Sequence, residues 1–149
     1  MGLERRSGAG LRREGRELAL MLLYREELTG LEDGAIPGIE TTRAESRRFA
    51  ERLVAGVRGE RAPIDEAISG ASEHWDISRM GTVDRTVLRI GVYELMHAPG
   101  TPVGVIINEA VEIARKFSSA ECGRFVNGVL DRVAREVRSG AARAESEAE

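Results

Sequence analysis

Three arginines, Arg12, Arg13 and Arg16, stand within little more than one helical turn of each other near the start of the chain. A cationic–aromatic pair, Arg124-Phe125, stands near its end. Guanidinium groups grip phosphates, and a ring beside one can stack an unpaired base, so both clusters have the chemistry of single-stranded nucleic-acid contact. At helical spacing Arg12/Arg16 and Arg13/Arg16 share a face. Cations at a helix start oppose its macrodipole, so helix stability gives no reason to gather them there. Phe125 falls just off the apolar stripe 126/129/130/133, which favours exposure over packing in the core. Tyr24 lies one residue beyond the tightest stripe of its helix and can present its ring at a surface.

A catalytic constellation is much harder to find. The chain holds no Gly-rich phosphate loop with a lysine, no His-Glu-x-x-His and no Gly-x-Ser-x-Gly. His74 lies in a polar connection, and His97 lies near a helix end, where a cation is welcome. Cys122 falls in the first turn of a helix, a place that can lower a thiol pKa, but no histidine is near it in sequence. A single cysteine excludes an intramolecular disulfide, and one Cys with two distant histidines cannot build a Cys/His zinc site. Glu109 and Glu112 are what a helical surface ordinarily carries. No catalytic residue, metal or cofactor is assigned.

The elements that must position these residues are helical. Residues 1–10 read as a flexible basic arm, 11–139 as one all-helical domain and 140–149 as a disordered acidic tail. A first helix runs from Leu11 to Leu28 with Leu18, Met21, Leu22 and Leu28 on its stripe, and Thr29-Gly30 ends it. Residues 30–41 form a loop. A second helix spans about Arg43 to Val57, and a third opens at Pro63, where the missing N–H does no harm. Thr82 caps a fourth, whose apolar residues wrap so much of its circumference that it must be central and buried. Thr101-Pro102 starts a fifth. Ser118-x-x-Glu121 has the form of a capping box for a sixth, which Gly140 stops. Asn108 and Asn127, set in apolar helices, are expected to be buried amides with structural partners. Gly123 and Gly128 each cost about 1 kcal/mol against alanine, which a close approach of another helix or a ligand would offset.

The chain's 149 residues point to one domain, and its 42% hydrophobic and 32% charged content is that of a globular one. Aromatics at 4% with abundant Ala, Leu, Glu and Arg favour helices over strands. No apolar run approaches the ~18–20 residues of a membrane span, and no secretion signal opens the chain, so the cytoplasm is expected. The net charge of −3 hides a basic arm on an acidic body. That asymmetry suggests a local anionic partner more than a surface that coats nucleic acid. Lys116 is the only lysine, so arginine is a general habit of this sequence.

Four segments, RREGRELALMLLY (12–24), VDRTVLRIGVYEL (83–95), INEAVEIARKF (107–117) and RFVNGVLDRVAR (124–135), together resemble the NusB family of transcription antitermination factors. The resemblance implies an all-α bundle of six to seven helices in two packed subdomains, without catalysis or cofactor. It implies binding of boxA-type nascent RNA together with the ribosomal protein NusE, within an RNA polymerase antitermination complex. By resemblance, Arg12, Arg13, Arg16, Glu121, Arg124 and Phe125 are RNA contacts, and Tyr24 and Asp84 are contacts to NusE. The family's usual entry to the last helix, Gly-Gly-Glu-Asp-Ser-Gly/His-Lys-Phe, is here Ser118-Ser-Ala-Glu-Cys-Gly-Arg-Phe125, which keeps charge but changes geometry. Gly15 stands where alanine is common and softens the first helix. A helical protein–protein adaptor without specific RNA binding is the alternative. The NusB-like domain of a ribosomal-RNA cytosine methyltransferase is a third reading, but its cofactor-binding domain is not in these 149 residues. Monomer and homodimer both stay open.

Overall fold

The computed structural model describes residues 8–30, 42–72 and 76–148. The arm before Gly8, most of the 30–41 loop, His74 and Trp75 lie outside the described residues. Six α-helices follow in order: α1 (Gly8–Thr29), α2 (Ala44–Gly59), α3 (Arg61–Ala71), α4 (Thr82–His97), α5 (Val103–Phe117) and α6 (Ala120–Ala148). A 3-10 turn at Ile77–Arg79 leads into α4. The all-helical class and the helix count agree with the sequence reading.

α4 is the hub, packed against each of the other five helices. Its residues 86–92 are buried without a break, with Glu94 and Leu95 beyond them, so the wrapped apolar pattern does mark a central helix. α1 pairs chiefly with α2, and α5 with α6. The core is aliphatic, with Ile64, Ile68, Leu88, Leu95, Ile106 and Leu130 the largest side chains fully withdrawn from water. Each such side chain contributes roughly 1.5–3 kcal/mol by burial. Gly91 lets Leu130 of α6 close on α4, since a Cβ there would lie 2.8 Å from its Cδ1. Gly15 has the same purpose: a Cβ there would meet the Phe49 ring at 2.7 Å and the Ser46 carbonyl at 3.0 Å, so α2 sits directly on it.

Several local expectations are corrected. The register of α1 is partly rotated: Leu18 of the expected stripe is buried and Leu22 half-buried, with Arg16, Ala19, Leu20 and Leu23 buried beside them, while Met21 and Leu28 are exposed. Arg16 occupies a core position, so a stripe read from apolar residues alone misses it. α4 is capped at Gly81, with Thr82 its first residue, and Pro102 is the N-cap of α5, not its first residue. Pro63 is third in α3. Ser119, not Ser118, caps α6, its Oγ accepting from the Cys122 N–H at 3.0 Å, so no capping box forms. α6 also runs through Gly140 to Ala148, because Ala141, Ala142, Ala144 and the intervening Arg and Glu are strong helix formers. Asn108 and Asn127 are exposed rather than buried. Of the two glycines in α6, Gly123 faces a close neighbour, Arg115 Cγ 2.9 Å from the position of a Cβ, whereas Gly128 faces open space.

Far-reaching arginines tie the helix ends. Arg138 of α6 donates to the carbonyls of Leu95 (3.0 Å), Ala98 (3.2 Å) and Thr101 (3.3 Å), satisfying the orphan acceptors at the end of α4. Arg85 donates to the carbonyls of Ile77 and Met80 and pairs with Glu27. Glu14 accepts from the Arg43 guanidinium and N–H, which hold its carboxyl below the usual range.

Candidate nucleic-acid interface

The first turn of α6 lies against the first turn of α4. The Cys122 thiol donates to Asp84 Oδ1 at 2.8 Å, joining the two helix starts. Around this contact opens a recess of about 290 Å³, walled by Arg79, Met80, Gly81, Ser119, Glu121 and Phe125. Phe125 is half-buried: it packs on the core and also lines the recess. Arg124 is exposed beside it, with no ion pair among the described residues. Glu121, also exposed, sits in the first helical turn, where the macrodipole favours an anion. The structure therefore gathers Asp84, Glu121 and Phe125 at one recess, with Arg124 at its side.

Cys122 is buried, and burial together with the Asp84 carboxylate pushes its thiol up to about 12 from an ordinary 9.0. That raised value favours the neutral thiol in the fold. Its stabilisation is complete below pH 9 and is lost as the pH climbs toward 12. The helix-start position does not activate this thiol; its anionic neighbour and burial win. We expect iodoacetamide at pH 8 to leave Cys122 unlabelled in the native protein and to label it fully in urea. Rapid native labelling would overturn the assignment.

The three N-terminal arginines separate. Arg13, exposed on the α5 side, makes a two-pronged pair with Glu109 (Nε–Oε2 2.8 Å, Nη2–Oε1 3.0 Å), which raises its pKa further. Arg12, exposed on the α2 side, stacks its guanidinium 4.4 Å from the Phe49 ring centroid. Arg16 is buried, its Nε within 3.1 Å of both carboxylate oxygens of Glu94, itself 4% exposed. Arg16 is thus closed off from any surface partner, and the expectation that it contacts RNA is corrected: its charge belongs to the core. Because α1 begins at Gly8, Arg12 and Arg13 also stand beyond its first turn, so the macrodipole argument for their placement lapses.

Tyr24 is exposed, as its position off the core stripe suggested. Met21 and Leu28, one turn before and after it, are exposed as well, at 43% and 63%. The three form an apolar strip on α1 that the sequence reading missed, because it placed two of them in the core. Asp84 is half-buried, with Oδ1 already engaged by Cys122. His97 ends α4 with its ring tilted 46° against that of Tyr93, centroids 4.9 Å apart. Among the described residues no three His, Cys, Asp or Glu side chains converge to hold a metal, and no helix is long and apolar enough to cross a membrane.

An all-helical bundle built on a buried central helix, with Arg124 and one aromatic edge at the start of α6, defines the class of fold. The NusB family model matches residues 13–135. The transcription antitermination protein NusB of Sorangium cellulosum is 45% identical over 132 residues, covering 84% of this chain and 92% of that protein. That of Geobacter sulfurreducens is also 45% identical, covering 84% and 94%. The solved structure of T. maritima NusB superposes with a TM-score of 0.75 at 34% identity, covering 84% of this chain and 91% of that one. A chain in the crystal structure of the antitermination factors NusB and NusE in complex with double-stranded RNA gives 0.71 at 29% identity, covering 85% and 97%. This chain belongs to the NusB family of transcription antitermination proteins.

Proposed function

We propose that this chain is a non-catalytic, cytoplasmic antitermination factor that binds boxA-type RNA jointly with NusE as part of an RNA polymerase complex. The observation that carries the reading is the pairing of an unneutralised Arg124 with the Phe125 edge at the start of α6, in a chain of this family. Arg124 supplies phosphate or base contact and Phe125 a stacking edge; Arg12 and Arg13 add charge from α1, and Glu121 can accept from base amino groups. The exposed strip Met21/Tyr24/Leu28 suits an apolar patch on a protein partner, and Asp84 offers its remaining carboxylate oxygen in the recess. Relatives support the pairing of ligands: NusB and NusE occur together with RNA in a solved complex.

A few guanidiniums and one ring give modest affinity alone, and an acidic body suits a basic ribosomal protein. Each ligand then favours the other by linkage. The test is a titration against boxA RNA and a scrambled RNA, with and without NusE, at two salt concentrations. We expect preferential boxA binding that tightens with NusE and weakens with salt. Equal, feeble binding to both RNAs under every condition would leave a helical adaptor.

A further inference from the structure

Most cations described above are neutralised by a carboxylate. A group on α2 is not. Arg48 and Arg52, one turn apart and both exposed, have no ion pair among the described residues, and neither does Arg12 across from them on α1. Arg12 and Arg52 nevertheless converge, their guanidinium carbons 4.4 and 5.7 Å from the centroid of the same Phe49 ring. Arg16 approaches that ring too, at 5.4 Å, but Glu94 is committed to it. Two uncompensated like charges gathered at one place oppose folding, and in a chain of net charge −3 there is no shortage of carboxylates to offset them.

The place where they converge is a cleft. It has a volume of about 240 Å³ between α1, α2 and the end of α4, and Tyr93 and His97 line it with the two guanidiniums, the buried Phe49 beneath them and Glu94, whose carboxylate is already held by Arg16. Cations at the mouth and rings on the wall are the two ingredients of single-strand binding, and the space suits one base with its ribose rather than a base pair. An acidic peptide would use the cations and leave the exposed His97 ring unused. We propose that this cleft is a second RNA subsite, taking a nucleotide that flanks the stretch held at the start of α6. Arg12 and Arg13 diverge from neighbouring positions of α1, one toward this cleft and one toward α5. The proposal rests on the RNA reading above and extends it from Arg12 of the α1 cluster to Arg52, Tyr93 and His97, which the α1 and α6 clusters do not contain.

The test compares a boxA-type RNA core with the same RNA lengthened by a few nucleotides at either end, each bound to the full chain with NusE. One lengthened RNA is expected to bind ~10-fold tighter than the core. Arg52→Gln should abolish that gain and lower the salt slope on the lengthened RNA by about 0.7, one phosphate's worth for a single strand, while core binding stays unchanged. His97→Ala should shrink the gain without altering the slope. Arg61→Gln, a loss of the same charge on α3, should preserve it. Lengthened RNAs that bind no tighter than the core would overturn the proposal, as would an Arg52→Gln variant that weakens core and lengthened RNA equally. Saturable binding of free uridine or adenosine monophosphate at the cleft, with no gain from lengthening, would overturn it in favour of a nucleotide site. If the core RNA itself does not bind, the functional reading fails first.

Discussion

Arg16→Ala is expected to destabilise the protein by about 3–5 kcal/mol, the usual cost of leaving one partner of a buried ion pair alone. For a chain of this size that is a fall in melting temperature of roughly 6–20 °C. The orphan would be Glu94, 4% exposed on the central helix, with its guanidinium partner gone. Replacing both members, Arg16→Met with Glu94→Leu, should recover most of the loss, because neither charge then remains to be desolvated. Urea unfolding of the three variants tests the stability argument. The double variant also tests the corrected role of Arg16: if it folds and binds boxA RNA as the parent does, the arginine serves the core. A folded double variant that has lost RNA affinity would restore Arg16 to the interface.

Phe125→Leu carries the second large effect. Leucine keeps the apolar packing of this half-buried position and removes the flat face. Stacking of one base is worth about 1–3 kcal/mol, so boxA affinity should fall by roughly 5- to 150-fold while the melting temperature changes little. Arg124→Ala should instead weaken binding with a reduction of about 0.7 in the salt slope, the signature of one lost phosphate contact. Competition binding at several salt concentrations separates the two. An unchanged affinity in Phe125→Leu would show that the ring serves only the core, and the α6 start would lose its role as the reading edge.

Composition and period determined much of this protein without help. Scarce aromatics, abundant helix formers and the 3–4 spacing of Val126, Val129, Leu130 and Val133 specify helices, since those signals are local to one segment of chain. The wrapped apolar pattern of residues 83–95 likewise marks a buried centre, because only a helix with neighbours on all sides can hide so wide an arc. The four motif blocks that carry the family lie in these same helices. Boundaries were less legible. Caps at Ser119, Gly81 and Pro102 each differ by one residue from the sequence reading, because flanking Ser, Thr and Pro offer near-equal local alternatives and packing selects among them.

Tertiary structure alone decided where the charges and the exposed apolar groups stand. Arg16 reads as a surface cation until Glu94, 78 positions away in sequence, is found beside it; that one core arginine also rotates the true face of α1 and exposes Met21 and Leu28. Cys122 looks activated by its helix start until Asp84, 38 positions away, proves to be the group against its sulfur. Arg12 and Arg13 are neighbours of one type, yet one meets an aromatic ring on α2 and the other a carboxylate on α5. A side chain's charge is written in the sequence, but its partner is not. The energy of a charge depends on burial and on groups within a few ångströms, and both are set only when distant segments pack.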